Sequence, residues 1–149
     1  MEHITLVTGG SRGIGAAAAK LCAKAGHSVA VNYLTSAADA KAVAGAITDA
    51  GGNAITVKAD TGVEAEVERM FDKVGTELGP ITGLVNNAGI HGPRGRLDQL
   101  SDEKIRAVFE TNVLGYFLCA RAAVIRMSTK HGGNGGAIVN VSSGSAHLG

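Results

Sequence analysis

The chain has 149 residues, and 14 Lys and Arg against 13 Asp and Glu leave a formal net charge of +1. This length fits one domain, the near-neutral charge argues against a nucleic-acid-binding surface, and 45% hydrophobic residues argue against disorder. We expect no membrane span and no secretory signal. With two cysteines we also expect no disulfide framework, so the composition indicates a soluble, cytoplasmic domain.

The first half of the chain alternates between strand and helix patterns. Residues 4–8 form a β-branched run that ends at two glycines, and from Gly13 the apolar spacing becomes helical. A second strand is predicted at 28–33 and a second helix at 36–50. The residues predicted to face inward are Ile14, Ala17, Ala18, Leu21, Cys22 and Ala25 in the first helix, and Ala40, Val43, Ala44 and Ile47 in the second.

The second half continues the alternation. Strands are predicted at 54–59, 82–86 and 137–141, and helices at 63–78 and 101–127. Predicted inward-facing residues are Val63, Val67, Met70, Phe71, Val74 and Leu78 in the shorter helix, and Ile105, Val108, Phe109, Val113, Phe117, Ala120 and Val124 in the longer one. Five apolar strands alternating with four helices indicate right-handed crossovers and a parallel α/β sheet covered on both faces.

The turn between the first strand and the first helix reads Thr8-Gly9-Gly10-Ser11-Arg12-Gly13-Ile14-Gly15. Glycine permits backbone angles closed to other residues, and it lets a pyrophosphate approach backbone N–H groups at a helix N-terminus. The turn lacks the Gly-Lys-Ser/Thr ending of a nucleoside triphosphate loop and the Gly-x-Gly-x-x-Gly spacing of the commonest dinucleotide turn. These residues alone leave open a phosphate-binding turn and a tight turn without a ligand.

Four motifs in chain order resemble one family. They are Thr8-Gly9-x-x-x-Gly13-x-Gly15, Asn86-Asn87-Ala88-Gly89, Thr111-Asn112-Val113 and Val141-Ser142-Ser143. The sequence resembles the short-chain dehydrogenase/reductase family, which implies a doubly wound, Rossmann-like, mostly parallel sheet with strand order 3-2-1-4-5. Residues 1–149 would then be one dinucleotide-binding domain, with only part of the family's full sheet. The resemblance also implies an oxidoreductase that transfers a hydride between nicotinamide and a carbonyl or secondary alcohol.

The resemblance implies a set of cofactor-binding residues: Thr8, Gly9, Ser11, Arg12, Gly13, Ile14, Gly15, Tyr33, Asp60, Thr61, Asn87, Ala88 and Gly89. An acid about 20 residues after the turn would favour NAD, but the nearest one, Asp39, is predicted to lie well inside the second helix. Arg12 could pair with a 2′-phosphate or be a solvated loop charge. We therefore predict NADP, with NAD the less favoured coenzyme. Asp60 resembles the family residue that contacts the adenine amine, and it could also cap the following helix.

The resemblance implies Ser143 and Asn112 as catalytic residues. Ser143 would hydrogen-bond the reacting oxygen, and Asn112 would hold a water in the proton relay; alternatively, Asn112 is a buried amide that braces the central strands. The family's proton donor is a tyrosine followed by a lysine four positions later, but neither Tyr33 nor Tyr116 is followed in that way. The family spacing would place this pair beyond residue 149, so we expect the 149 residues alone to be inactive.

Two alternatives from other classes stay open: an inactive NAD(P)-binding module, and a structural domain that binds no dinucleotide. The histidines lack metal-ligand spacing, so no metal is expected. His91 and His147 could line a substrate cleft or be loop histidines. The expected partners are a small-molecule substrate and further copies of the protein, since the family's members are commonly homotetramers, whereas neither nucleic acid nor a membrane is expected.

Overall fold

The computed structural model describes residues 2–92 and 94–145, and the strands in these residues form one parallel sheet. They are β1 (Ile4–Val7), β2 (Ser28–Tyr33), β3 (Ala54–Lys58), β4 (Gly83–Asn86) and β5 (Ala137–Asn140). The order across the sheet is β3-β2-β1-β4-β5, and each pairing is parallel. The predicted doubly wound α/β fold with strand order 3-2-1-4-5 is therefore confirmed.

Helices on both faces connect these strands. They are α1 (Gly13–Lys24), α2 (Ala37–Asp49), α3 (Glu64–Glu77), α4 (Asp102–Phe109) and α5 (Gly115–Met127). A π-helical turn, Glu110–Leu114, joins α4 to α5. One hydrophobic core lies between the sheet and α1 with α2, and a second lies between the sheet and α3 with α5. Because the winding reverses between β1 and β4, the loops after these two strands border a crevice.

Helix α1 packs on the sheet through a different face from the predicted one. Ile14 and Leu21 are predicted to face inward, but each is 66% exposed, whereas Gly15 is buried. A Cβ at Gly15 would collide with the Gly9 carbonyl and the Asn87 side chain. The smallest residues of α1 therefore have to face the sheet, and its larger apolar residues point outward.

The segment from α4 to α5 also buries the face opposite to the predicted one. Its buried residues are Gly115, Leu118, Cys119, Ala122, Ala123 and Met127. Four residues predicted to face inward are instead 44–72% exposed, and we call them the apolar stripe: Phe109, Val113, Phe117 and Val124. Both faces are apolar, so periodicity could not choose between them. Close packing favours the observed face, since a Cβ at Gly115 would lie 3.0 Å from Thr61 Oγ1.

One helical segment of the described residues, Asp102–Met127, is long and apolar enough by length and composition to cross a membrane. The expectation that the chain has no membrane span stays a prediction. Its most apolar window has a mean hydropathy of 1.4, and 28% of that window is buried in the structure. Core helices of soluble proteins pass the same test, and α5 packs on the sheet through its buried face, so this helix alone does not indicate a span.

Candidate functional site

Thr8, directly after β1, ties the glycine turn to the loop after β4. Its Oγ1 accepts hydrogen bonds from the amides of Asn87 (2.9 Å) and Ala88 (3.0 Å). In return, Asn87 Nδ2 donates to the carbonyls of Thr8 (2.9 Å) and Gly9 (3.2 Å). Thr8 is fully buried. The two loops therefore form one hydrogen-bonded unit at the carboxyl ends of the central strands.

Two positions of the turn require glycine. Gly9 has φ = +60°, and a Cβ there would lie 2.9 Å from Ala88 Cα. A Cβ at Gly15 would lie 2.5 Å from Asn87 Nδ2. Arg12, the N-cap residue of α1, makes no side-chain capping bond. The start of α1 thus presents uncapped backbone N–H groups beside a glycine-rich turn, which suits an anionic group such as a diphosphate.

Asn32, near the end of β2, is a residue that the sequence analysis missed. Its Oδ1 accepts the Gly9 amide (3.0 Å), and its backbone carbonyl accepts the Gly10 amide (2.8 Å). These two amides are therefore already paired, so donors to a ligand have to come from later in the turn. The available signal was a polar residue in an otherwise apolar strand.

The remaining residues predicted around the turn differ in exposure. Arg12, Gly13 and Ile14 are exposed, whereas Ser11 and Tyr33 are half-buried. Within the described residues, Arg12 forms no ion pair. Asp39 lies in the first turn of α2 and is exposed, which corrects the prediction that it lies well inside that helix.

Asp60 and Thr61 follow β3 and border the crevice from the other side. Asp60 Oδ1 accepts the Gly62 amide (2.9 Å), and the Asp60 amide donates to Glu66 Oε2 (2.7 Å). Since α3 begins only at Glu64 and has no side-chain cap, Asp60 shapes a turn and does not cap the helix, which corrects that alternative. Thr61 is buried. Glu66, which fixes the Asp60 backbone, is a second residue that the sequence analysis missed.

Asn112 lies in the π-helical turn, and π-helical turns are frequent at functional sites. Its Oδ1 accepts the Ile90 amide (2.8 Å), and its Nδ2 donates to the Ile90 carbonyl (2.8 Å). Gly89 lies alongside, because a Cβ there would be 3.5 Å from Asn112 Oδ1. The side chain therefore holds the loop after β4, and this contact replaces the expected bracing of the central strands.

Ser143 lies after β5 and is exposed; its Oγ accepts the Ser145 amide (3.2 Å). His91 is exposed in the loop after β4, whereas His147 lies outside the described residues. No group of three or more His, Cys, Asp or Glu that could hold a metal ion occurs in residues 2–92 and 94–145.

Tyr116 fixes the end of the strand that leads to Ser143. Its hydroxyl donates to the Val141 carbonyl (2.9 Å), and its own carbonyl accepts a hydrogen bond from Asn86 Nδ2 (2.9 Å). Burial, and to a lesser degree the neighbouring Cys119, raises the pKa of the Tyr116 phenol. A phenol engaged in this way, with a raised pKa, is a structural group and a poor acid.

Comparison with known proteins shows which family the chain resembles. The family model described as short chain dehydrogenase matches residues 3–149. The "Uncharacterized oxidoreductase YgfF" of Escherichia coli is 51% identical over 146 residues, which cover 98% of this chain and 59% of the relative. The "Cis-4-hydroxycyclohexanecarboxylate dehydrogenase" of Sinomonas cyclohexanicum is 39% identical, with 95% of this chain and 55% of the relative covered. The chain thus spans a little over half the length of these relatives.

Solved structures agree with the sequence relatives. A short chain dehydrogenase from Burkholderia cenocepacia in complex with NADP superposes with a TM-score of 0.87 at 41% identity, covering 97% of this chain and 57% of that one. A short-chain type dehydrogenase/reductase from Mycobacterium marinum gives 0.90 at 36% identity, with the same coverage. Because the family model spans nearly the whole chain and the fold agrees, the chain belongs to the short-chain dehydrogenase/reductase family.

Proposed function

We propose that the chain forms the coenzyme-binding part of an NADP-dependent oxidoreductase that interconverts a carbonyl and a secondary alcohol. The observation that carries the proposal is the open, uncapped start of α1, where Arg12 makes no capping bond and a Cβ at Gly13 would meet nothing within 4 Å. The NADP complex of the Burkholderia structure supports a nicotinamide coenzyme. The Sinomonas relative is named as a dehydrogenase of a hydroxylated cyclic carboxylate. This name supports a small-molecule alcohol as the substrate of the present protein.

The residues around the crevice fit such a coenzyme. The turn from Thr8 to Gly15 would hold the diphosphate, with Ser11, Gly13 and Ile14 at the start of α1. Tyr33, Asp60 and Thr61 would border the adenosine, and Asn87, Ala88 and Gly89 would line the crevice after β4. Nicotinamide, when bound, supplies or accepts the hydride, and the residues of this chain bind and orient it.

The choice of NADP depends on Arg12. Its guanidinium is exposed at the turn and forms no ion pair among the described residues, so it is available to a 2′-phosphate through charge-assisted hydrogen bonds. Strand β2 ends without an acid that would bind the ribose and repel that phosphate. Asp39 is the next carboxylate along the chain after β2, and we expect Arg12 to outweigh it because Arg12 belongs to the turn itself.

We further propose roles for the two residues expected to act in catalysis. Ser143, exposed in the loop after β5, would hydrogen-bond the reacting oxygen. Asn112 would hold a water in the proton relay. Neither tyrosine of the 149 residues is followed by a lysine four positions later, so we propose that these residues alone bind coenzyme without turnover. We propose a cytoplasmic location and a homo-oligomer for the whole protein.

Titration with NADPH and NADH tests the coenzyme proposal. The wild type should bind NADPH more tightly, and Arg12→Ala should weaken NADPH binding about 10- to 100-fold, as expected for loss of one or two charge-assisted bonds. NADH binding should change little. Lys20→Ala, which removes another exposed cation of the same helix, is the matched control. Equal affinities for the two coenzymes in the wild type would contradict the NADP assignment, and binding of neither would contradict the proposal itself.

A second candidate is an NAD(P)-binding module without hydride transfer. A turnover assay on the protein as its gene encodes it, with a panel of ketones and secondary alcohols, separates the two. Coenzyme binding without oxidation or reduction of any substrate would favour the module.

A further inference from the structure

Asn32 joins two loops at the edge of the proposed coenzyme crevice. Its side chain is 2% exposed. Oδ1 accepts the Gly9 amide (3.0 Å), while Nδ2 donates to the carbonyls of Ala59 (3.1 Å) and Val57 (3.3 Å). One side chain therefore holds the glycine turn on one side and the end of β3, which leads into the loop with Asp60, on the other.

The pattern of donors and acceptors explains why this residue is an asparagine. The Gly9 amide needs an acceptor, and the carbonyls of Val57 and Ala59 need a donor. Aspartate would keep the acceptor but set a carboxylate against two carbonyl oxygens. Leucine has the same number of side-chain heavy atoms but would leave three polar backbone groups without this partner. Asparagine is depleted in strands, so its place in a buried strand is explained by these contacts.

We infer that Asn32 is a positioning residue for the adenosine diphosphate half of the coenzyme, which it serves by fixing the glycine turn relative to the loop at 59–61. The inference rests on the proposed function. Asn32 is buried and acts through its neighbours. By holding both loops in place before binding, it lowers the ordering cost that the ligand would otherwise meet.

Two variants of Asn32 and one control test this inference in the protein as its gene encodes it. Asn32→Asp keeps the acceptor for Gly9 and loses the donor, whereas Asn32→Leu loses both. Val29→Ala is the matched control, because Val29 is fully buried at the other end of the same strand. It should lower stability without touching either loop.

Binding is measured with adenosine 2′,5′-bisphosphate and NADPH at a temperature at which circular dichroism shows each variant folded. We expect the dissociation constant of the bisphosphate to rise about tenfold in both Asn32 variants, equivalent to one or two lost hydrogen bonds, and to stay within about twofold of wild type in Val29→Ala. The KM for NADPH should rise while kcat changes little. If Asn32 only stabilised the fold, each variant would lose affinity in proportion to its loss of stability. Val29→Ala would then also bind more weakly.

Amide hydrogen exchange without ligand gives a second readout. Asn32→Leu should accelerate exchange in both 8–15 and 59–62, whereas Asn32→Asp should accelerate it mainly in 59–62. Asn32 variants that bind as tightly as the wild type and exchange at its rate would overturn the inference and leave the proposed function standing. A wild type that binds neither coenzyme would overturn the proposed function and with it the coenzyme role of Asn32.

Discussion

Asn112 and Ile90 form a reciprocal pair in which the side-chain amide of one binds both backbone groups of the other, at 2.8 Å in each direction. The pair fastens the π-helical turn between α4 and α5 to the loop after Gly89. Only a short side chain with both a donor and an acceptor can make both bonds. This explains why a poor helix former lies inside a helical segment with apolar neighbours.

Replacing Asn112 should loosen this loop. Asn112→Leu removes both hydrogen bonds, and we expect the free energy of unfolding to fall by about 1–3 kcal/mol. Asn112→Asp keeps the acceptor for the Ile90 amide and should cost less. Urea denaturation measures the loss, and faster amide exchange at 89–92 would locate it. Asn134→Leu, at an exposed loop position, is the control; equal stability of Asn112→Leu and wild type would contradict a stabilising role of the pair.

Alanine at two glycines should change stability in opposite directions. At Gly15 a Cβ would lie 2.5 Å from Asn87 Nδ2 and also meet the Gly9 carbonyl, so Gly15→Ala should cost about 1–3 kcal/mol and weaken coenzyme binding. At Gly45, inside α2, a Cβ would meet nothing within 4 Å, so Gly45→Ala should stabilise by about 0.5–1 kcal/mol. Thermal unfolding of both variants checks the signs, and a Gly15→Ala protein as stable as wild type would contradict the close packing of the turn.

The sequence predicts strand β2 (Ser28–Tyr33) and the inward face of α2 as the structure has them. In both elements the apolar residues are the ones that are buried, so the hydrophobic pattern is sufficient to predict them. The inward faces of α1 and of the α4–α5 segment are predicted wrongly. Gly15 and Gly115 pack where no Cβ fits, and a hydrophobic pattern does not show where such close packing occurs.

The candidate site was also predicted only in part from the sequence. Its motifs follow single loops and could be read from local sequence, whereas the roles of Asn32 and Asn112 depend on partners 22 to 27 residues away. Those partners are backbone groups, which leave no mark on the sequence. The contacts therefore emerge only from the folded chain.

The two cysteines should differ in reactivity and in their effect on alkaline stability. Burial raises the pKa of Cys119 to about 12, and it also raises the pKa of the less buried Cys22. A thiol that folding keeps protonated contributes stability that is complete below its unfolded pKa, about 8.5, and is lost as the pH rises towards 12. We expect a steeper alkaline loss of stability in the wild type than in Cys119→Ala.

Thiol labelling with an aromatic disulfide at pH 8.5 provides the companion measurement. Cys22 should react first, and Cys119 should react only on unfolding, because the thiolate is the nucleophile. Cys22→Ala serves as the control that isolates Cys119. Fast labelling of Cys119 in the folded protein would contradict its burial.

Arg126 connects α5 to α3 through two carboxylates and an aromatic ring. Its Nη2 lies 2.9 Å from Glu68 and 2.6 Å from Asp72, and its guanidinium lies 5.3 Å from the centre of the Phe71 ring. These partners raise the pKa of Arg126 although burial alone would lower it. Arg126→Met should lower stability by about 1 kcal/mol, with a smaller loss in high salt. Arg121→Met, at the more exposed ion pair with Glu64, should cost less; a greater loss there would contradict the ranking.

The apolar stripe on α4 and α5 should be the contact between copies of the protein. Phe117 is 72% exposed at its centre, and contiguous exposed apolar surface of this kind marks interaction sites. Phe117→Asp should therefore shift the protein towards monomer in sedimentation velocity while its melting curve stays cooperative, because the side chain contributes little to the core. Leu21→Asp, which charges another exposed apolar residue on α1, should leave the oligomeric state unchanged. Wild-type protein that is monomeric yet sediments with lipid vesicles would instead assign the stripe to a membrane surface.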